Sequence, residues 1–60
     1  MSGLIALVMK AGALREQGRQ ALLKHDYSAA RACYFDSLQI HNHRQGRVGL
    51  LLALRLLKKR

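Results

Sequence analysis

Apolar residues along this chain recur at helical steps in three segments, separated by two short polar lapses. Leu4, Leu7, Ala11, Leu14, Gly18 and Ala21 follow one another at alternating three- and four-residue steps, the spacing that keeps side chains on one face of an α-helix. The pattern predicts a first helix that opens after Ser2 as its N-cap and runs to about Lys24. Its small members, Ala11, Gly18 and Ala21, leave little side chain on the stripe, so a second helix can approach closely there. Gly18 inside a helix costs about 1 kcal/mol relative to Ala, and tight packing is the natural reason to keep it.

The periodicity lapses at Lys24, His25 and Asp26, where Asp26 is placed to accept from the free N–H groups that open the next helix. That helix is expected over about Tyr27 to His41. Ala30, Cys33, Tyr34, Ser37 and Ile40, with Leu38 beside them, form its inner face, and Ser28, Arg31, Asp36 and Gln39 its outer face. A second lapse, Asn42 to Gly46, holds Asn42 and Gln45 in the spacing of a capping box. A third helix is expected from about Arg44 to the chain end. Val48, Leu50, Leu51, Leu52, Ala53, Leu54, Leu56 and Leu57 make it apolar nearly all round, with Arg55 intruding. One neighbour cannot cover such a helix, so something further is expected to pack on it. There is no proline in the chain, and no segment reads as a strand. The fold class is therefore all-α, three helices, with an antiparallel hairpin followed by a third helix.

Length makes the hairpin matter more. At 60 residues the chain is a single small domain that buries only about 60% of its unfolded surface. Cys33 is the only cysteine, so no internal disulfide can staple it, and association is the expected remedy. Eleven Lys and Arg against three Asp and Glu give a net charge of +8, which favours an acidic neighbour: RNA, anionic lipid headgroups or an acidic protein. The apolar runs Leu4 to Met9 and Val48 to Leu54 are far short of the ~18 residues of a membrane span. Lys10 follows the first run where a secretory signal would place its charge before it. The expected setting is cytoplasmic, soluble or peripheral to a larger complex. A mitochondrial presequence in residues 1–24 is set aside because the same residues complete the helical unit.

The spacing Leu14-x2-Gln17-Gly18-x2-Ala21, then Ala30-x3-Tyr34, then Asn42 resembles one tetratricopeptide repeat, W-x2-L-G-x2-Y, A-x3-F, P. The glycine at Gly18, the alanine at Ala30 and the aromatic at Tyr34 match. The first aromatic, the leucine before glycine and the closing proline are replaced. Asp26-Tyr27-Ser28-Ala29-Ala30-Arg31 is similar to the family's inter-helix turn, and the Arg-Gln-Gly-Arg-Val-Gly connection of residues 44–49 to that of the longer repeats of bacterial regulators. On this resemblance residues 14–42 are the repeat unit and 43–60 start a further one. It implies stacked helix pairs whose first helices line a groove for protein recognition. Carried over by position, Arg15, Arg19, Leu22 and Leu23 face that groove, and the two arginines suit an acidic segment or a carboxylate. Because about three repeats are needed for stability, an isolated unit is expected to complete itself against a partner or its own copy. Leu50, Leu51, Leu54 and Leu57, with the Leu4 and Leu7 end, are the expected docking contact.

Catalytic patterns are missing from the sequence. The three acids are scattered, and Gly46-x2-Gly49 lacks the lysine and hydroxyl of a phosphate loop. His25, His41 and His43 read as exposed turn residues, since a zinc site takes four ligands and no ligand pattern surrounds them. Cys33 on the inner face reads as a small buried hydrophobe. Tyr27, Tyr34 and Phe35 are too few and too helical for a base-stacking platform. The expectation is a non-catalytic interaction module without cofactor or small-molecule substrate, a small adaptor or accessory subunit. The rival is a basic subunit that binds RNA or an anionic membrane surface within a larger complex.

Overall fold

The computed structural model describes residues 2–59 as three α-helices: α1 (Ser2–Leu23), α2 (Tyr27–Ile40) and α3 (Arg44–Lys58). Helices α1 and α2 form an antiparallel hairpin, and α3 turns back along α2, so α2 packs against both neighbours while α1 and α3 meet more sparingly. There is no strand among the described residues.

Local chemistry sets each boundary. Helix α1 begins at Ser2, and the N-cap expected there lies outside the described residues. It ends in a Schellman motif: the Asp26 N–H donates to the Ala21 carbonyl at 2.8 Å and the His25 N–H to the Leu22 carbonyl at 3.0 Å. His25 takes the left-handed conformation this requires, with φ 61°. Asp26 then caps α2, its Oδ1 accepting from the Ala29 N–H at 3.3 Å.

The cap of α3 differs from the expected capping box. His43 is the N-cap, and its ring Nδ1 accepts from the Gln45 N–H at 3.1 Å. Asn42 is instead an acceptor for the Arg47 guanidinium at 3.5 Å. Gly46, expected in the connection, lies within α3 and is buried.

The core consists almost entirely of small residues. Ala11, Gly18, Ala30, Ser37, Gly46, Gly49 and Ala53 are buried, and the one large buried side chain among the described residues is Tyr34, 6% exposed. Its ring lies between two glycines. A Cβ at Gly18 would come within 2.7 Å of Tyr34 Cε2, and one at Gly49 would overlap the ring's other edge. Both glycines are therefore required by close approach rather than by backbone conformation. Ser37 lies one turn further on, where its hydroxyl donates to the Tyr34 carbonyl at 2.7 Å and a Cβ at Gly46 would stand 3.1 Å from it. Ala21, Leu22 and Leu50 pack around the rim of the Ala30–Tyr34–Ala53 cluster.

Two expectations about packing change here. The α1 stripe continues in sequence to Leu4, yet residues 3–10 are all exposed, Leu4 by 69%. The reason is length: α1 has 22 residues and α2 has 14, so at about 1.5 Å per residue the N-terminal part of α1 extends past its partner. Nor is α3 apolar on every side. Its inner face is Gly46, Gly49 and Ala53, Leu50, Leu56 and Leu57 are half-buried, and the rest of its circumference mixes exposed Arg44, Arg47, Arg55 and Lys58 with exposed Val48, Leu51, Leu52 and Leu54.

Candidate functional site

The cleft above Tyr34, between α1 and α3, is a groove of about 670 Å³. Helix α1 contributes Gly12, Arg15, Glu16, Arg19 and Leu22, and α3 contributes Arg44, Gln45, Val48, Gly49 and Leu52. The floor forms because both helices are drawn onto α2 through glycines. Tyr34 Cζ lies beside both glycine positions, so the phenol passes between the two backbones. Burial pushes the Tyr34 phenol above its ordinary value, an effect the Arg19 charge partly opposes. It therefore stays a neutral donor across the physiological range.

Three arginines give the groove its charge, and they are not equivalent. Arg19 is engaged by Glu16, at 3.1 Å through Nε and 2.6 Å through a terminal nitrogen. Gln20 adds a further bond to the same carboxylate at 3.2 Å. The hydrogen bonds from Arg19 and Gln20 hold the Glu16 carboxyl below its ordinary value. Arg15 is half-buried, folded back toward Gly12, and its Nη1 is buried without a hydrogen-bond partner. Arg44, at the first turn of α3, is exposed and makes no ion pair among the described residues.

The expected contact residues distribute as follows. Arg15, Arg19 and Leu22 line the groove, whereas Leu23 is exposed by 64% beyond its end. Leu50 packs against the core and Leu57 is half-buried, while Leu51 and Leu54 are exposed on the outer side of α3. Leu51 joins Val48, Leu52 and Arg55 around a second, smaller depression of about 310 Å³. Because α1 and α3 both run antiparallel to α2, the Leu4 and Leu7 end and the Leu54 and Leu57 end lie at opposite ends of a molecule 44 Å long. They do not form one continuous patch within a single chain.

Sequence reasoning missed Arg44, Val48 and Leu52 as groove residues, because the resemblance supplied positions for the first helix only. The signal was present in the Gly46-x2-Gly49-x3-Ala53 spacing, a small-residue stripe that turns the opposite flank of α3 toward α1.

Of the histidines, His25 is the exposed turn residue expected, whereas His41, His43 and Cys33 depart from the simplest reading. His25 is exposed, with its Nδ1 2.8 Å from the Tyr27 hydroxyl. His41 and His43 are half-buried and meet edge to face at 5.5 Å. Partial desolvation and the Arg15, His41 and Arg47 charges depress the His43 pKa. Cys33 is half-buried at the hairpin seam, its Sγ 4.0 Å from Gln17 Oε1. No cluster of potential metal ligands occurs among the described residues, and no helix among them is long and apolar enough to cross a membrane. Comparison of the chain with protein-family models, with curated proteins and with solved structures finds no match.

Proposed function

We propose that this chain is a non-catalytic protein-interaction module, a small adaptor or accessory subunit that uses one tetratricopeptide-like helix pair and the start of the next. The observation that carries this reading is the groove between α1 and α3, with apolar walls and cationic edges over a rigid Tyr34 floor. Such a cleft is suited to a peptide segment, since apolar walls supply contact area and a few placed polar groups fix register. Its walls are helices locked by glycine contacts rather than loops, which lowers the ordering cost of binding.

A photoactivatable cross-linking residue at Val48, compared with one at Lys24 outside the groove, tests this reading in cells that make the protein. The expected result is a discrete cross-linked protein from Val48 that is lost when Leu52→Glu places a charge in the wall. Cross-links from both positions only to nucleic acid or lipid would favour the second reading. That reading, a basic subunit on RNA or an anionic membrane, is supported by the side of α3 away from the groove, where Arg47, Arg55 and Lys58 are all exposed. Binding of that kind weakens steeply with salt.

A further inference from the structure

The groove contains an uneven set of charges. Its only acid, Glu16, is occupied by Arg19 and Gln20. Arg15 Nη1 is buried without a partner on one wall, and Arg44 stands unpaired among the described residues on the other. The Tyr34 ring, wedged between Gly18 and Gly49, forms the floor between the two walls. A guanidinium nitrogen withdrawn from water without an acceptor is a cost to the free protein, and turning the side chain out to an anionic ligand in the groove would remove it.

We propose that Arg15 on the α1 wall and Arg44 on the α3 wall form a carboxylate-reading subsite for an acidic peptide segment. This rests on the groove being a peptide site, and it names the chemistry of the occupant. Arg19 is not the reader, because Glu16 already satisfies it. Val48 and Leu52 on α3 and Leu22 on α1 flank the subsite, so the segment that fits carries Asp or Glu next to apolar side chains. RNA phosphate fits the same cations less well. The Tyr34 ring is held edge-on between two helices and offers no free face for a base to stack on.

The test uses the whole chain, isotopically labelled, observed by NMR while a short blocked peptide of alternating Leu and Glu is added. Its Leu and Gln counterpart is titrated in parallel. Expected are shifts at the Arg15 and Arg44 Nε–H groups and the Val48 and Leu52 methyls, with the Glu peptide binding about tenfold more tightly or better. Arg15→Gln and Arg44→Gln should each remove most of that preference, with Lys24→Gln as the distant charge control and helicity checked for every variant. Equal binding of both peptides in the groove would overturn the carboxylate subsite and leave the peptide groove standing. No groove shifts with either peptide would overturn both. An oligouridylate that displaces the Glu peptide, with Lys24→Gln as damaging as Arg15→Gln, would replace the subsite with diffuse phosphate binding.

Discussion

Tyr34 and Gly49 are in mutual van der Waals contact across the α2–α3 seam, and no side chain larger than hydrogen fits at position 49 without moving the ring. The pair fixes how closely α3 approaches α2, and Gly18 repeats the arrangement toward α1 on the other edge of the same ring. One aromatic side chain thus sets two helix separations and the floor of the groove.

Gly49→Ala should therefore destabilise the domain despite the better helix propensity of alanine. Overpacking of this kind costs about 1–3 kcal/mol, a large share of the stability of so small a domain. Gly12→Ala is the contrasting change. Its Cβ would meet only Arg15 Nη2, at an ordinary 3.6 Å, so the propensity gain of about 0.5–1 kcal/mol should appear as added stability. Urea unfolding followed by circular dichroism compares the two, and equal effects would refute the close-approach argument. In a Tyr34→Ala background the Gly49→Ala penalty should largely vanish.

His25 closes α1 in the left-handed region, where glycine is usual. His25→Gly should stabilise by about 0.5–1 kcal/mol, because relief of the backbone cost outweighs loss of the exposed contact with Tyr27. His25→Val should destabilise, since a β-branched residue fits that conformation worst. The pair of melting temperatures decides the matter.

Protonation of His43 removes the acceptor that caps α3 and adds a cation beside Arg15, His41 and Arg47. Its folded pKa lies below the ordinary 6.5, so below neutrality the unfolded chain takes up the proton first. The stability this neutral cap contributes is fully present above pH 6.5 and is lost as pH falls through the folded pKa. His43→Asn keeps an acceptor that does not titrate. Unfolding midpoints measured from pH 8 to pH 5 should fall less for the variant, and identical slopes would remove His43 from the account.

The projecting part of α1 makes a prediction about solubility rather than folding. Leu4, Ile5 and Met9 are each more than 60% exposed, so replacing all three with serine should reduce self-association seen by light scattering. Each exposed change should shift unfolding stability by no more than about 0.5 kcal/mol. A large loss of stability would mean that these residues are packed in solution.

The hairpin was legible because its signals are local. Asp26 announces a cap, Ala11, Gly18 and Ala21 announce close approach, and the stripe of residues 11–21 has one consistent face. The groove was half legible: Arg15, Arg19 and Leu22 follow from position on the first helix, whereas the α3 wall depends on how α3 is rotated. Histidine caps less often than Asn, Asp, Ser or Thr, so Asn42 outranked His43 until geometry showed which residue has the extended backbone of a cap.

The amino-acid sequence by itself determined three helices, their approximate ends and a strongly cationic surface, because periodicity, capping residues and charge are properties of neighbours along the chain. Which leucines are covered, which arginine is already paired, and where Tyr34 seats its ring were decided only by the tertiary structure. Those outcomes depend on the length mismatch between α1 and α2 and on glycines from two different helices meeting one ring, and neither relationship exists until the helices pack.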